Sequence, residues 1–223
     1  MATTVQIREL VAASLRRSPI IGVVRTPSRE EAAVQARALA AAGIELVEVT
    51  FSVPGAAGLV RELLAARGAE GPPWFGMGTT STLTRAREAV QAGAEFLVSP
   101  NTHAEVAREA RRAGLFLVMG ALTCTEIVAA TELGADVVKV YPLPPVGGPA
   151  YLATIRGPLG DIPMLAGGGF GVDEIPAYHR AGAVAFGMAA PLLGVGSGEA
   201  ECRRRIARAL ALARGDAGLQ EET

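Results

Sequence analysis

Lys139 is the only lysine in a chain of 223 residues, and every other cationic side chain apart from the two histidines is an arginine. It lies within the apolar segment "DVVKVYP", residues 136–142. Burial disfavours the charged form of a lysine, and the neutral amine can attack a carbonyl carbon to form a Schiff base. An arginine cannot do this, because its guanidinium stays protonated. The segment therefore predicts an amine nucleophile.

Glu48 lies in a similar apolar segment, "ELVEVT", residues 45–50. Side chains alternate across a strand, so Glu48 and Lys139 each face away from their valine neighbours and, in a barrel, into the interior. Schiff-base chemistry needs protons moved onto and off the carbinolamine oxygen, and C–C cleavage needs a base and a proton donor. We expect Glu48 to supply these. A structural ion pair between the two residues is the other interpretation.

A recurring pattern predicts the elements that position these residues. A helical stretch ends in a small residue and a glycine, and an apolar segment follows; the glycines are Gly43, Gly93, Gly114, Gly134 and Gly182. The longer gaps contain "WFGMG", 74–78, and "IPMLAGGG", 162–169, and "PIIGVV", 19–24, begins the series. Eight apolar strands alternating with helices predict an α/β fold, a (β/α)8 TIM barrel, with a doubly wound open sheet as the alternative.

The predicted domain organisation is one barrel over residues 1–215. It includes an additional N-terminal amphipathic helix at 1–18, and the segment "EAECRRRIARALALARG" forms the last helix. The polar segment "DAGLQEET", 216–223, is expected to be a loose tail.

Composition argues against several classes of function. Half of the residues are hydrophobic and the formal net charge is −1, so no basic surface for nucleic acid is indicated. The longest uncharged apolar run, 115–124, is about half a membrane span, and the N-terminus does not resemble a signal peptide. Cys124 and Cys202 lie far apart and form no disulfide framework, so we expect a cytoplasmic protein. The cysteines and the two histidines, His103 and His179, do not have the spacing of metal ligands, and we expect neither a metal nor a cofactor.

The active site of a barrel lies at the C-terminal ends of its strands. Polar residues and glycines that end the predicted strands are therefore site candidates: Arg25, Thr50, Ser52, Thr79, Ser99, Pro100 and the glycines 167–169. The glycines precede a predicted helix, and backbone N–H groups at such a position suit an anion.

Taken in order, these segments resemble the class I pyruvate-dependent aldolases that cleave 2-dehydro-3-deoxy-6-phosphogluconate (KDPG) and 4-hydroxy-2-oxoglutarate (KHG), and their phosphogalactonate-cleaving relatives. The resemblance rests on "GVVRTPSREEA", "ELVEVTFSVPGA", "GMGTT", "AGAEFLVSPNTHAEV", "GADVVKVYP" and "AGGGF". It implies that Lys139 is the Schiff-base lysine and Glu48 the general acid/base. It also implies a cytoplasmic homotrimer of barrels that acts on a small 2-oxo acid without a cofactor.

The resemblance further implies which residues bind the substrate. Thr79 and Pro100 match positions that hold the pyruvate carboxylate and line its pocket, and Arg25 matches an arginine of many members. Ser52 stands where other members have threonine or arginine. We expect four glycines to contact the substrate as well: Gly167, Gly168, Gly169 and Gly187.

Two residues depart from the family pattern. Ala166 stands where the family has a threonine, and Met188 stands where it has a serine. The protein therefore lacks two side-chain hydroxyls that would be expected near the phosphate end of the substrate. This leads to the hypothesis that the aldehyde half is smaller or unphosphorylated. Three other functions stay open: a barrel enzyme of sugar phosphates such as an isomerase, a non-catalytic relative that binds a keto acid, and a metal-dependent pyruvate aldolase.

Overall fold

The computed structural model describes residues 4–68 and 71–216 and contains a closed barrel of eight parallel strands. The strands β1 to β8 span Ile20–Val24, Leu46–Thr50, Trp74–Gly78, Phe96–Ser99, Phe116–Ala121, Val137–Val140, Met164–Gly167 and Ala185–Ala189. Each strand pairs with the next, and β8 pairs with β1. The closure confirms the predicted (β/α)8 barrel, and the alternative of an open sheet is wrong.

Helices alternate with the strands after one additional N-terminal helix. The helices α1 to α9 span Thr4–Arg17, Arg29–Ala41, Ala56–Arg67, Leu83–Gln91, Ala104–Arg112, Cys124–Glu132, Gly148–Arg156, Ile175–Arg180 and Glu199–Arg214. Short 3-10 turns follow β6, β7 and β8 at Pro144–Val146, Val172–Glu174 and Ala190–Leu193. No helix within the described ranges is long and apolar enough to cross a membrane. The predicted tail, 216–223, lies outside the described residues apart from Asp216, as do residues 1–3.

Local sequence signals define the helix ends. Three helices begin after a side chain whose oxygen accepts a backbone hydrogen bond from the first turn: Ser28, Thr82 and Thr123. At the other end, Gly43 has a φ of 101°, and the Ile44 N–H donates to the Leu39 carbonyl oxygen at 3.1 Å. The same bond follows the four other glycines of the repeat, all with positive φ. These glycines therefore form the predicted helix C-caps.

Strand alternation divides the apolar side chains into two regions. Side chains such as Val47, Val49 and Val138 lie between the strands and the helices, in the larger core. The second region fills the barrel, mainly from the beginning of each strand, with Ile21, Leu46, Trp74, Phe96, Val98, Phe116, Val118, Val137, Leu165 and Ala185. The barrel interior is therefore packed with apolar side chains below the C-terminal strand ends.

Helix α1 covers the N-terminal mouth of the barrel. Its Val11 and Leu15 side chains are buried and belong to the interior apolar cluster. The Ser14 hydroxyl accepts a hydrogen bond of 2.8 Å from the Trp74 indole N–H inside the barrel. The helix thus closes the mouth opposite to the strand C-termini.

Two ion pairs fasten α1 to the residues that precede strands. Arg8 pairs with Asp136 at 2.7 Å, and Arg17 pairs with Glu45 at 2.7 Å. Asp136 and Glu45 precede β6 and β2, so these carboxylates lie at the mouth opposite the predicted site. Their placement leaves Glu48 as the carboxylate within β2.

Candidate active site

Glu48 and Lys139 are the central residues of the candidate site, and both point into the barrel. Glu48 is the third residue of β2 and only 2% exposed, whereas Lys139, the third residue of β6, is half-buried. Their neighbours in sequence pack on the helix side: Val47, Val49, Val138 and Val140. The side-chain directions are those that strand alternation predicts.

Glycines on the inner face of the strands create the space around these two side chains. A Cβ atom at Gly78 would overlap Oε1 of Glu48, and one at Gly167 would lie 2.9 Å from Cε of Lys139. Gly187 is the next nearest, since its Cβ would lie 3.9 Å from the same Cε. A larger residue in place of Gly78 or Gly167 would occupy the volume that the two side chains fill. The pocket therefore depends on residues that lack a side chain.

Burial raises the pKa of Glu48 above its ordinary value, and the positive charges of Lys139 and Arg25 partly oppose this effect. Removing a carboxylate from water disfavours its charged form, and nearby cations favour that form. Desolvation is the larger effect and therefore sets the upward direction of the Glu48 pKa shift. A buried carboxyl that holds its proton more firmly than an exposed one is suited to act as both a proton donor and a proton acceptor.

Lys139 has no ion-pair partner in the described part of the chain. Within residues 4–68 and 71–216 it makes no hydrogen bond, and no carboxylate oxygen lies within 4.0 Å of its Nζ. Its Nζ lies 5.3 Å from the centroid of the Tyr141 ring. The expected alternative of a structural ion pair with Glu48 is therefore not observed as a direct contact. The amine is left available for a reaction in the pocket.

Thr79 and Pro100 follow β3 and β4 directly, and both are half-buried at the C-terminal face. Thr79 has a φ of 59°, the left-handed conformation, which costs a residue with a side chain roughly 1–2 kcal/mol. Strained backbone of this kind is often found where a residue positions a ligand. The Pro100 backbone lies against Gly120, where a Cβ atom would overlap the Pro100 carbonyl group.

Arg25 and Ser52 lie at the same face, following β1 and β2. Arg25 is exposed, and its charge acts on Glu48. The Ser52 hydroxyl lies 2.7 Å from the Thr50 hydroxyl, which donates to the Val24 carbonyl oxygen at 3.1 Å. Because Thr50 has one hydroxyl proton and donates it to Val24, Ser52 donates to Thr50. The Ser52 oxygen therefore keeps only its acceptor capacity for a ligand.

The glycine loop after β7 also lies at this face. Gly168 and Gly169 have φ values of 136° and 83°, which side-chain-bearing residues rarely adopt. Gly168 packs closely against the β6 loop, since its Cβ would lie 2.6 Å from Pro144 Cδ. The Gly171 N–H already donates to the Glu174 carboxylate at 2.7 Å. The Gly171 N–H is therefore not free for a ligand, so the predicted anion site would have to use the N–H groups of residues 167–169.

The side chains of Ala166 and Met188 do not face the barrel interior, contrary to the expectation that they border the substrate. They are 0% and 1% exposed and belong to the core between strands and helices. The reason is strand alternation, because Gly167 and Gly187, their neighbours in sequence, occupy the inward-facing positions. The two departures from the family pattern therefore affect the helix-side packing directly.

The two histidines belong to helices or helix starts and not to the strands that carry Lys139 and Glu48. His103 precedes α5 without a side-chain cap bond, and its Nδ1 is buried without a hydrogen-bond partner in the described ranges. His179 lies near the C-terminal end of α8, against Gly215. No group of three His, Cys, Asp or Glu side chains that could hold a metal ion occurs within residues 4–68 and 71–216.

Three features of the site are not predicted by the polar residues and glycines that end the strands. The Tyr141 ring lies near the Lys139 amine, and no pattern among the strand-end residues indicates this contact. Gly78 and Gly120 carry no functional group, although each lies at or next to the C-terminal end of its strand, which is a usable signal. Arg85 belongs to helix α4 and contacts the Thr79 carbonyl oxygen, a link that no local pattern in the sequence indicates.

Comparison with known proteins finds that the chain is similar to enzymes. A family model described as "Aldolase: KDPG and KHG aldolase" matches residues 11–207. The 2-dehydro-3-deoxy-phosphogluconate aldolase of Treponema pallidum (strain Nichols) is 33% identical over 165 residues, covering 74% of this chain and 77% of that protein. The 2-dehydro-3-deoxy-6-phosphogalactonate aldolase of Escherichia coli (strain K12) is 28% identical over 179 residues, covering 80% of this chain and 86% of that protein.

Solved structures agree with the sequence comparison. A structure described as native KDPGal superimposes with a TM-score of 0.76 at 26% sequence identity. The match covers 90% of this chain and 95% of that chain. The two structures therefore share the fold over most of both chains.

Proposed function

This chain belongs to the KDPG and KHG aldolase family, and we propose that it cleaves a 4-hydroxy-2-oxo acid to pyruvate and an aldehyde through a Schiff base on Lys139. The family establishes an aldolase, a carbon–carbon lyase. The covalent mechanism and the role of each residue are our proposal.

The reaction begins when the neutral amine of Lys139 attacks the C2 ketone of the substrate. The attack forms a carbinolamine, and its oxygen leaves as water after Glu48, in its protonated form, donates a proton. The product is an iminium ion between Lys139 and C2. The buried position of Glu48 supports this step, because a raised pKa keeps the carboxyl protonated more often than in an exposed glutamate.

Cleavage follows from the positive charge on the imine nitrogen. Glu48, now a carboxylate, removes the proton from the C4 hydroxyl, the C3–C4 bond breaks, and an aldehyde leaves. The electron pair of the broken bond moves onto C3 and the iminium to form an enamine. Glu48 returns its proton to C3, and water hydrolyses the resulting iminium to pyruvate and free Lys139.

The observation that carries this proposal is the position of the single lysine. Lys139 lies inside the barrel without an ion-pair partner in the described ranges, and a desolvated carboxyl occupies the same interior. A surface lysine would be fully solvated, and a buried structural lysine would be paired with a carboxylate. The proposed mechanism requires neither a metal nor a cofactor, because the iminium accepts the electron pair.

Reductive trapping with pyruvate tests the proposal. Pyruvate and borohydride should add one reduced pyruvyl group to the intact protein, and peptide mapping should place it on Lys139. The α-amino group is the only competing primary amine, because the chain has no second lysine. Modification that omits Lys139 would reject the mechanism.

The proposed substrates are KDPG and KHG, which yield glyceraldehyde 3-phosphate and glyoxylate as the aldehydes. Substrates of the phosphogalactonate type are a second candidate, because a relative at 28% identity carries that name. An unphosphorylated 2-keto-3-deoxy acid is the third, although the side chains of Ala166 and Met188 pack on the helix side and give this candidate no direct support. Comparing kcat/KM for all of these acids decides among them. A strong preference for a phosphate ester would reject the third candidate.

The substrate-binding roles are proposals on the same basis. We assign the pyruvate carboxylate to Thr79 and Pro100, and the far end of the substrate to the glycine loop 167–169 with Gly187. Arg25 and Ser52 complete the mouth of the pocket. The position of these residues around one opening supports the assignment.

Other classes of function predict different outcomes. A sugar-phosphate isomerase would not be trapped with pyruvate, and a metal-dependent aldolase would lose activity with a chelator. A non-catalytic relative would bind a keto acid without turnover. We further propose a cytoplasmic homotrimer without nucleic-acid partners, with one domain at 1–215 and a tail at 216–223. Light scattering tests the trimer.

A further inference from the structure

Arg85 joins helix α4 to the loop that follows β3. It is the third residue of α4, it is half-buried, and its backbone N–H donates to the Thr82 cap at 3.3 Å. Its Nη1 donates to the Thr79 carbonyl oxygen at 3.2 Å and to the Ser81 hydroxyl at 3.0 Å. The guanidinium is therefore anchored to one short segment at the C-terminal face of the barrel.

The Thr79 carbonyl oxygen is held by two donors. The Ser81 N–H donates to it at 2.9 Å, and Arg85 adds a charged donor to the same oxygen. Thr79 has the left-handed φ of 59°, a conformation that a threonine does not favour by itself. A charge-assisted hydrogen bond is stronger than one between neutral groups, so Arg85 can hold this peptide group in its strained orientation.

The same guanidinium contacts the loop that follows β2. Its Cζ lies 5.6 Å from the centroid of the Phe51 ring. Phe51 comes three residues after Glu48, and its N–H donates to the Gly78 carbonyl oxygen at 2.9 Å. Arg85 therefore contacts the loop after β2, the strand that carries Glu48, and the loop after β3, the strand that carries Gly78. A planar guanidinium is well suited to lie against a ring and donate hydrogen bonds from its edge at the same time.

The contacts of Arg85 differ from those of an ordinary surface arginine. No carboxylate oxygen lies within 4.0 Å of its guanidinium in the described ranges, and its recorded hydrogen bonds end on a carbonyl and a hydroxyl. Arg87, two residues further along α4, is exposed. It provides a matched control on the same helix.

We propose that Arg85 is a positioning residue that holds Thr79, through its carbonyl oxygen, in the orientation that receives the substrate carboxylate. The inference rests on the proposed function, which assigns the pyruvate carboxylate to Thr79. Loss of Arg85 lets the Thr79 peptide rotate. Binding of the carboxylate then weakens, and the amine of Lys139 keeps its reactivity.

The test is the pyruvate dependence of reductive trapping in the wild type, R85Q, R85K and R87Q. A misplacement of about 1 Å costs up to about 100-fold, so the half-saturating pyruvate concentration should rise about 10-fold to 100-fold in R85Q. R85K should recover part of the affinity for pyruvate, because lysine keeps the positive charge. The recovery should be incomplete, because lysine lacks the planar guanidinium. R87Q should match the wild type. The trapping rate at saturating pyruvate should stay within about twofold in all four proteins.

Thermal unfolding of each variant controls for loss of structure, and R85K provides a second variant if R85Q does not fold. The inference is overturned if R85K and folded R85Q have the same half-saturating pyruvate concentration as the wild type. It is also overturned if only the trapping rate at saturating pyruvate falls. Absence of trapping in the wild type rejects the proposed function, and the role of Arg85 falls with it. The two failures are therefore distinguishable.

Discussion

The carboxyl group of Glu48 occupies the position that a side chain at Gly78 would need. A Cβ atom at Gly78 would lie 2.5 Å from Cγ of Glu48 and still closer to its carboxylate. The two residues are thirty positions apart in sequence and lie on neighbouring strands. The proton shuttle of the proposed mechanism thus depends on a residue that has no functional group.

Replacement of Gly78 by alanine should displace Glu48 and lower turnover strongly. Overpacking of this kind also costs about 1–3 kcal/mol of stability. Thermal unfolding and the rate of pyruvate formation measure the two effects. Gly58 is a matched control, because its Cβ would meet nothing closer than 3.9 Å, and G58A in helix α3 should gain about 0.5–1 kcal/mol. Wild-type activity in G78A would contradict the assigned position of Glu48.

Lys139→Arg should abolish turnover and reductive trapping, because a guanidinium cannot form the imine. Far-UV circular dichroism should show a retained barrel, and K139A checks that any loss of activity does not arise from the larger side chain. Residual cleavage at a rate near that of the wild type would exclude the Schiff base.

Glu48→Gln should lower kcat by about 10²–10⁴-fold, the usual contribution of a general acid/base. The amide has the shape of the carboxyl but cannot transfer its proton. Steady-state kinetics with the preferred acid measure the change. A kcat that falls by less than about twofold would assign the proton transfers to another group.

The same variant should reveal the pH dependence that burial of Glu48 produces. Its pKa is raised above 4.5 in the folded protein. At a pH between 4.5 and this raised pKa, the folded state therefore binds more protons than the unfolded chain. The stabilising contribution of protonated Glu48 is therefore complete below 4.5 and is lost as pH rises through the raised pKa. E48Q does not titrate there.

Thermal unfolding of the wild type and E48Q from about pH 4 to about pH 9 measures this effect. The wild type should lose stability relative to E48Q as pH rises. A difference that is constant with pH would show that the pKa of Glu48 is the same in both states.

Helix α1 should contribute stability without contributing to catalysis. Leu15 is 5% exposed and belongs to the apolar cluster inside the barrel, so L15A should cost about 2–5 kcal/mol. Leu10 on the same helix is 45% exposed, and L10A should cost less than about 0.5 kcal/mol. Denaturant unfolding measures both changes. The kcat of folded L15A should equal that of the wild type, and a reduced kcat would link the closed mouth to the active site.

Much of the fold follows from local signals in the sequence. The segment "WFGMG" and strand β3 coincide at residues 74–78, because a short apolar run ending in glycine is itself a strand followed by a turn. The five repeat glycines end helices as expected, since each must adopt a positive φ. Alternation along β2 and β6 is also local, so the direction of Glu48 and Lys139 is predictable from two strands alone.

The details of the pocket depend on contacts between distant segments. Alternation applied to Ala166 and Met188 would have turned both side chains toward the helices, but similarity to a family motif suggested substrate contact instead. The bond from Arg85 to Thr79 depends on how α4 folds back over the end of β3. The acceptor of the Ser52 proton depends on β1 lying beside β2.

The amino-acid sequence by itself determines which residues form strands, which end helices, and that one lysine and one glutamate share a barrel interior. These properties arise from periodicity and backbone preference over a few residues. Only the tertiary structure decides that Glu48 lies over Gly78, that Lys139 has no carboxylate within 4.0 Å in the described ranges, and that burial raises the pKa of Glu48. These properties arise from the stagger of eight strands around a closed barrel, which sets distances and desolvation between residues far apart in the chain.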